Sequence, residues 1–323
     1  MSQKCLLSTI CKLITSSFNY LYHTIKCRKI DYFHYDKLAL PNYQAPEGFK
    51  SVFLYGQYKA VAKLSGRRFN FLTDYLEHGV CFSDNPESAP LMGYISRRGL
   101  KRVYTMGERR ADVLRRYLNN NNLTADVASV GPYITGVPHF YSLEKLQALK
   151  NSLGRTLLIF PTHSIEKSAI NRNVVMLCDE VDKIRAEYDT ILCCVYWWDI
   201  ISAKDEVNYY QERGYKVVTA GHRNDPKFLR RLKDIIWLSD IVVLDNIGTN
   251  LGYAITMNKP IFFAPSGNKL YCGNGDESQL SVQEDLQQSV DNLNDRCAEL
   301  FGHYPPMITK LQLDFVEEYW GSN

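Results

Sequence analysis

The chain has no run of more than two consecutive Lys or Arg residues, and its formal net charge over 323 residues is only +3. A nucleic-acid partner is therefore not expected. Its nine cysteines, Cys5, Cys11, Cys27, Cys81, Cys178, Cys193, Cys194, Cys272 and Cys297, include no Cys-x-x-Cys pair and form an odd, irregular set. That excludes the usual zinc spacings and a disulfide framework, and fits reduced thiols in a cytoplasmic protein. No stretch of about 18 apolar residues occurs, so no membrane span is expected. Neither a P-loop nor a Gly-x-Gly-x-x-Gly turn follows any strand-like run. What is present is an ordinary globular composition, 45% hydrophobic and 23% charged, in a chain long enough for two domains. Tyrosine is frequent, at 22 residues, which suits either an aromatic core or a surface that handles sugars and other flat polar ligands.

Residues 1–45 form a segment of their own. Leu6, Leu7, Ile10, Ile14, Phe18, Leu21, Tyr22 and Ile25 recur at helical spacing among Lys4, Lys12, Lys26, Arg28 and Lys29. Lys12 interrupts the apolar run, and no small-residue cleavage site follows. Two readings of this basic amphipathic helix stand: packing on its own domain, or peripheral contact with an anionic membrane at its inner, cytoplasmic face.

From about residue 49 short apolar runs alternate with polar helical stretches. FKSVFLYG, GVCFSD, KRVYTMG and DVASVGPYI read as strands, with a helix over 108–120 ended by Asn119 to Asn122. After GVPHFYSLEKLQALKNSLG the alternation becomes cleaner: RTLLIF, TILCCVYWW, YKVVTA, DIVVLD and PIFFA as strands, with helices over about 166–187, 204–213 and 226–238 and from about Thr249. Strands apolar on both faces and separated by helices predict parallel, doubly wound sheets, with ligands at the strands' carboxyl ends. The expected class is α/β with two Rossmann-like domains and a cleft between them. The first spans 46–153 and the second 154–303, and a last helix in 304–323 crosses back.

The loops at those carboxyl ends supply candidates. Pro161-Thr162-His163-Ser164 follows RTLLIF just before an expected helix start near Ile165, where His163 and free amides suit a phosphate, or where Thr162 or Ser164 simply caps the helix. Asn246-Ile247-Gly248-Thr249-Asn250 follows DIVVLD; Gly248 permits close backbone approach and Thr249 offers a hydroxyl and an amide. After YKVVTA, Arg223 is a phosphate contact and His222 a sugar or base contact, or both are loop residues. Trp197-Trp198-Asp199 offers an aromatic for stacking or for the core. In the first half, Glu77-His78-Gly79 places a histidine beside a carboxylate, a suitable general base for a hydroxyl. No two aspartates stand two apart, so the Asp-x-Asp metal clamp of many nucleotide-sugar enzymes is missing.

The stretch SDIVVLDNIGTNLGYAITMNKPIFF resembles the segment of GT-B glycosyltransferases and polymer glycerophosphotransferases that holds nucleotide phosphates. Pro161-Thr162-His163-Ser164 and Glu77-His78-Gly79 are similar, respectively, to the phosphate loop and the catalytic-base motif of the bacterial sialyltransferase, Kdo-transferase and CDP-glycerol transferase groups. Ser164 stands where those groups usually have Pro, and Gly248, Thr249 and Asn250 where they often have paired serines. The resemblance implies a metal-independent glycosyltransferase of surface-polysaccharide (capsule or lipopolysaccharide) synthesis, with no cofactor. It would move a sugar from a CMP- or other nucleotide-sugar donor to a glycan or lipid-linked acceptor. His78 or Glu77 would be the base, and Thr162, His163, Ser164, His222, Arg223, Asn246, Gly248, Thr249 and Asn250 would bind the donor. A CDP-glycerol-type glycerophosphotransferase, a sugar-nucleotide epimerase and a non-catalytic polysaccharide-assembly protein remain alternatives.

Overall fold

The computed structural model describes residues 3–48, 52–84, 99–164, 168–272 and 290–322. It is an α/β structure with two parallel sheets. The smaller has three strands in sequential order, β1 (Asp74–Leu76), β2 (Arg102–Thr105) and β3 (Asp126–Ser129). The larger has five parallel strands: β4 (Thr156–Phe160), β6 (Thr190–Cys194), β7 (Lys216–Val218), β8 (Ile241–Leu244) and β9 (Ile261–Phe263). Their spatial order, β7-β6-β4-β8-β9, puts β4 in the centre and reverses the winding between β4 and β8. β5 (Ser168–Asn171), which follows β4, and β10 (Lys269–Cys272), which follows β9, form a separate antiparallel pair.

Side chains alternate across the large sheet as a pleat requires. Leu158, Phe160, Leu192, Val242 and Leu244 face one apolar cluster, while Leu157, Ile159, Cys193 and Val243 face another. Both faces are buried, which is why these strands read as continuous apolar runs. The first cluster continues into Tyr104, Met106 and Tyr133 from the region of the small sheet. The helix Lys310–Trp320, opened by a Thr309–Gln312 capping box, lies against both halves. Its Trp320 indole donates to the Thr249 carbonyl at 3.2 Å, and the Arg109 guanidinium sits 4.6 Å from the Tyr319 ring.

Most second-half elements coincide with the sequence reading, and Glu108–Asn120 is the helix expected there. TILCCVYWW is strand only as far as Cys194, with Trp197 and Trp198 opening the helix Trp197–Ser202, and DVASVGPYI is strand only as far as Ser129, with Tyr133–Gly136 a 3-10 turn; three further expectations do not hold. The described part of FKSVFLYG is no strand but a 3-10 turn, Leu54–Gly56, leading into the helix Gln57–Leu64. Tyr55 (φ 57°) and Gly56 (φ 67°) are left-handed, which no strand accommodates. A Cβ at Gly56 would stand 2.5 Å from the Pro226 carbonyl oxygen, so the turn is shaped by a distant loop. GVCFSD forms no strand either, and the strand it displaces is β1, three residues upstream. Finally, no helix spans 166–187. The chain first pairs as β5 with β10, and the helix begins at Val174, capped by the Asn173 side chain accepting from the Met176 amide at 3.0 Å. A pairing partner about 100 residues away overrides the local helical period.

Candidate functional site

The reversal of winding between β4 and β8 opens a crevice beyond the carboxyl ends of these strands, the place where doubly wound sheets bind ligands. A cleft of about 430 Å3 lies there, between the loops after β4 and β8 on one side and residues 55–57 and 78–80 on the other. Phe160 and Leu244 pair directly across the two strands, so Pro161 to Ser164 and Asp245 to Asn250 leave the sheet side by side.

Asp245 ties these two loops together. Its Oδ1 accepts from the Thr162 amide (2.8 Å) and hydroxyl (2.7 Å), and its Oδ2 accepts from Ser266 Oγ (3.0 Å) and Asn268 Nδ2 (2.7 Å). Burial pushes the Asp245 carboxyl above its ordinary value, against the pull of these hydrogen bonds. Thr162 lines the cleft, but its hydroxyl also accepts from Asn268 Nδ2 at 3.0 Å, so it serves to position the loop.

The turn after β8 enters the helix Thr249–Thr256. Gly248 is fully extended (φ −175°), and a Cβ there would meet nothing within 4 Å. Neither strain nor crowding within the chain requires glycine; the space in front of it belongs to the cleft. The first amides of a helix carry the positive end of its dipole; the Leu251 amide bonds the Gly248 carbonyl at 3.1 Å, and Thr249 and Asn250, which line the cleft, bring the remaining amides of the first turn to it as anion donors. The Thr249 hydroxyl accepts from the Val80 amide at 3.2 Å, which joins the turn to the His78 loop and leaves the hydroxyl proton to donate elsewhere. Asn246 and Asn250 also line the cleft.

Three buried polar atoms in this cleft have no partner: Gln57 Oε1, Asn246 Oδ1 and the Tyr253 hydroxyl. Gln57 Nε2 donates to the His78 carbonyl at 2.9 Å, which fixes the orientation of the amide and leaves Oε1 as a pure acceptor. An unsatisfied buried polar atom costs about 1–3 kcal/mol. Gln57 Oε1, a pure acceptor, together with the Asn246 amide and the Tyr253 hydroxyl, suits a ligand that carries hydroxyl groups.

His163 is exposed at the edge of the cleft and stacks on Tyr196, with ring centroids 4.3 Å apart. Its Nδ1 lies 3.1 Å from the Ser164 carbonyl, which can only accept, so Nδ1 carries the proton and Nε2 is the outward nitrogen. His78 lines the opposite wall, and its pKa is held below the ordinary histidine value, first by burial and further by Arg223, against the pull of Glu77. It is therefore neutral near pH 7, the form that accepts a proton. Among the described residues no Lys or Arg lines the cleft.

The structure separates residues that the sequence reading grouped. Glu77 does not line the cleft: its carboxylate is 4% exposed and accepts from Arg110 Nε (3.0 Å), Arg110 Nη2 (2.9 Å) and the Thr105 hydroxyl (2.7 Å). It is a structural ion pair, with Glu77 facing inward from the end of β1 and His78 facing out. Ser164 points away from the cleft to Asp199, which is in turn paired with Arg172 at 2.7 Å. The helix start expected near Ile165 lies outside the described residues, and the chain described next, from Ser168, is β5. His222 is buried between the Tyr43 and Trp197 rings, at 5.1 and 3.9 Å, and its Nδ1 accepts from the Asn224 amide. Burial, with Arg223 adding to it, pushes its pKa down to about 3. The Arg223 guanidinium stands 5.9 Å from the Trp197 ring and does not line the cleft.

Residues that the sequence reading missed are Gln57, Tyr253 and Asp245, together with Tyr55, whose hydroxyl is 3.4 Å from that of Tyr196. Only Asp245 carried a signal, as a charged residue directly after the apolar run IVVL. No protein-family model matches this chain, and no curated protein sequence matches it.

Proposed function

We propose that the chain is a metal-independent glycosyltransferase of the GT-B type, taking a nucleotide-activated sugar into the cleft above β4 and β8. The observation that carries this reading is the pairing of an anion site with an acceptor-rich lining. The N-terminus of Thr249–Thr256 suits a diphosphate or phosphodiester, while Gln57 Oε1, Asn246 Oδ1 and the Tyr253 hydroxyl suit the hydroxyl donors of a sugar. A nucleotide sugar has both kinds of group, next to one another. Two parallel sheets facing one cleft and a last helix touching both halves agree with a GT-B arrangement.

In this mechanism His78, neutral near pH 7, takes the proton of the acceptor hydroxyl as it attacks the anomeric carbon. The helix amides and the Thr249 hydroxyl bind the phosphate on which charge grows as the bond to the sugar breaks. Asp245 holds the two phosphate-side loops in register. The acceptor is a glycan or lipid-linked glycan hydroxyl approaching from the His78 side.

The test is a thermal-shift screen of CMP-, CDP-, UDP-, GDP- and dTDP-linked sugars, since a ligand binding only the folded state raises its stability by mass action. A stabilising nucleotide sugar is then assayed for transfer to glycan acceptors. No shift with any of them refutes the reading; a product formed from the donor alone, without acceptor, replaces transfer with epimerisation.

A further inference from the structure

The helix Gln3–Cys27 is turned the opposite way from an ordinary surface helix. At about 100° per residue, Ile10, Ile14, Phe18, Leu21 and Ile25 fall along one line. All five are exposed, Phe18 by 70% and Ile14 by 50%. The other side makes the contacts to the rest of the protein. Ser16 Oγ accepts from the Glu47 amide (2.8 Å), Asn19 Oδ1 from the Gln44 amide (2.8 Å), and the Tyr20 ring packs 5.0 Å from Phe53. The Thr24 and Tyr43 hydroxyls share a hydrogen bond of 2.5 Å. Polar and aromatic groups on one side thus fasten the helix, and its apolar stripe is left facing out. A contiguous apolar stripe of this length marks an interaction surface.

Charge selects the partner. Residues 3–30 contain no Asp or Glu, but they include Lys4, Lys12, Lys26, Arg28 and Lys29; the last four are exposed. A second copy meeting stripe to stripe would bring two carboxylate-free basic helices together, a like-charge contact that is unfavourable. No helix among the described residues is long and apolar enough to cross a membrane, and this one is fixed to the protein along its polar side. A helix with one apolar stripe, a polar back and basic flanks suits the plane of a lipid interface.

We propose that Gln3–Cys27 docks the protein in-plane on an anionic lipid surface. Ile10, Ile14, Phe18, Leu21 and Ile25 enter the acyl boundary, and Lys26, Arg28 and Lys29 meet the headgroups. This inference is independent of what the cleft binds.

The test is co-sedimentation of the full chain with vesicles of phosphatidylcholine alone and of phosphatidylcholine mixed with phosphatidylglycerol, at low and high salt, with the mass in solution measured by light scattering. The native protein sediments with the anionic vesicles, and less so as salt rises. Combining Ile14→Asp with Phe18→Asp lowers the partition by about 100-fold or more. Combining Lys26→Glu, Arg28→Glu and Lys29→Glu lowers it at least about tenfold. All these side chains are exposed, so both variants keep the native melting temperature. Failure of the native protein to sediment, equal binding to neutral vesicles, or undiminished binding by the Ile14/Phe18 variant overturns the proposal. So does a solution dimer split by that variant, which would assign the stripe to a second copy.

Discussion

Gly248 and Gly252 are four residues apart at the start of one helix, and adding a methyl group at each distinguishes binding from folding. At Gly248 the backbone is extended and a Cβ meets no atom within 4 Å. Gly248→Ala therefore leaves stability unchanged or raises it by up to about 1 kcal/mol, because the unfolded chain loses freedom. The same methyl projects into the cleft where a phosphate must approach the turn. If it displaces one charge-assisted hydrogen bond, worth about 1.5–3 kcal/mol, affinity falls by roughly 10- to 150-fold. At Gly252 the added carbon overlaps the Trp320 indole. Gly252→Ala there costs about 1–3 kcal/mol of stability, as overpacking does. Urea unfolding and calorimetric titration with the nucleotide sugar found by screening measure the two quantities separately. Gly248→Ala with unchanged affinity refutes the phosphate site at this turn, and Gly248→Ala that unfolds more easily refutes the open geometry.

Other residues give outcomes as specific. His78→Ala lowers turnover by about 10²- to 10⁴-fold with donor affinity kept; because its pKa is lowered in the folded protein, the acid limb of the native rate profile lies below the ordinary histidine value, and a limb above it would remove His78 as base. Glu77→Gln weakens a pair in which Arg110 is 3% exposed; Glu77→Ala takes from that buried cation the carboxylate it pairs with and destabilises by roughly 3–5 kcal/mol, whereas native stability with lost turnover would return Glu77 to catalysis. His222 has a folded pKa of about 3 against an ordinary 6.5, so the unfolded state takes up protons first as pH falls. Stability is then full above pH 6.5 and is lost progressively down to about pH 3, by on the order of 4 kcal/mol. His222→Phe flattens that part of the pH–stability curve, and an unchanged curve would show that His222 is not the group responsible.

The elements most legible in the sequence are those whose signal is local. The runs RTLLIF, TILCCVYWW, YKVVTA, DIVVLD and PIFFA have largely apolar centres because both faces of their sheet are covered, and each holds one of its parallel strands, although TILCCVYWW is strand only as far as Cys194. The helix Glu108–Asn120 has a helical period and a four-asparagine stop. Signals failed where a distant segment decides the outcome. Residues 52–56 read as a strand but turn under the Pro226 loop, and 168–171 read as helix but pair with 269–272. The strand Asp74–Leu76 is too short to show a period.

For the site, the sequence alone determined that a small polar turn and a histidine loop end strands of one parallel sheet, because strand period and turn chemistry are properties of neighbouring residues. Only the tertiary structure decided that the two loops are adjacent, because that depends on strand order, which places β4 beside β8. It also decided between chain neighbours. Glu77 turns inward to Arg110 and His78 outward to the cleft, a choice made by a partner 33 residues away that no local pattern records. The turn Asn246 to Asn250 gained its chemical meaning in the same way, from Gln57 and Val80 across the cleft.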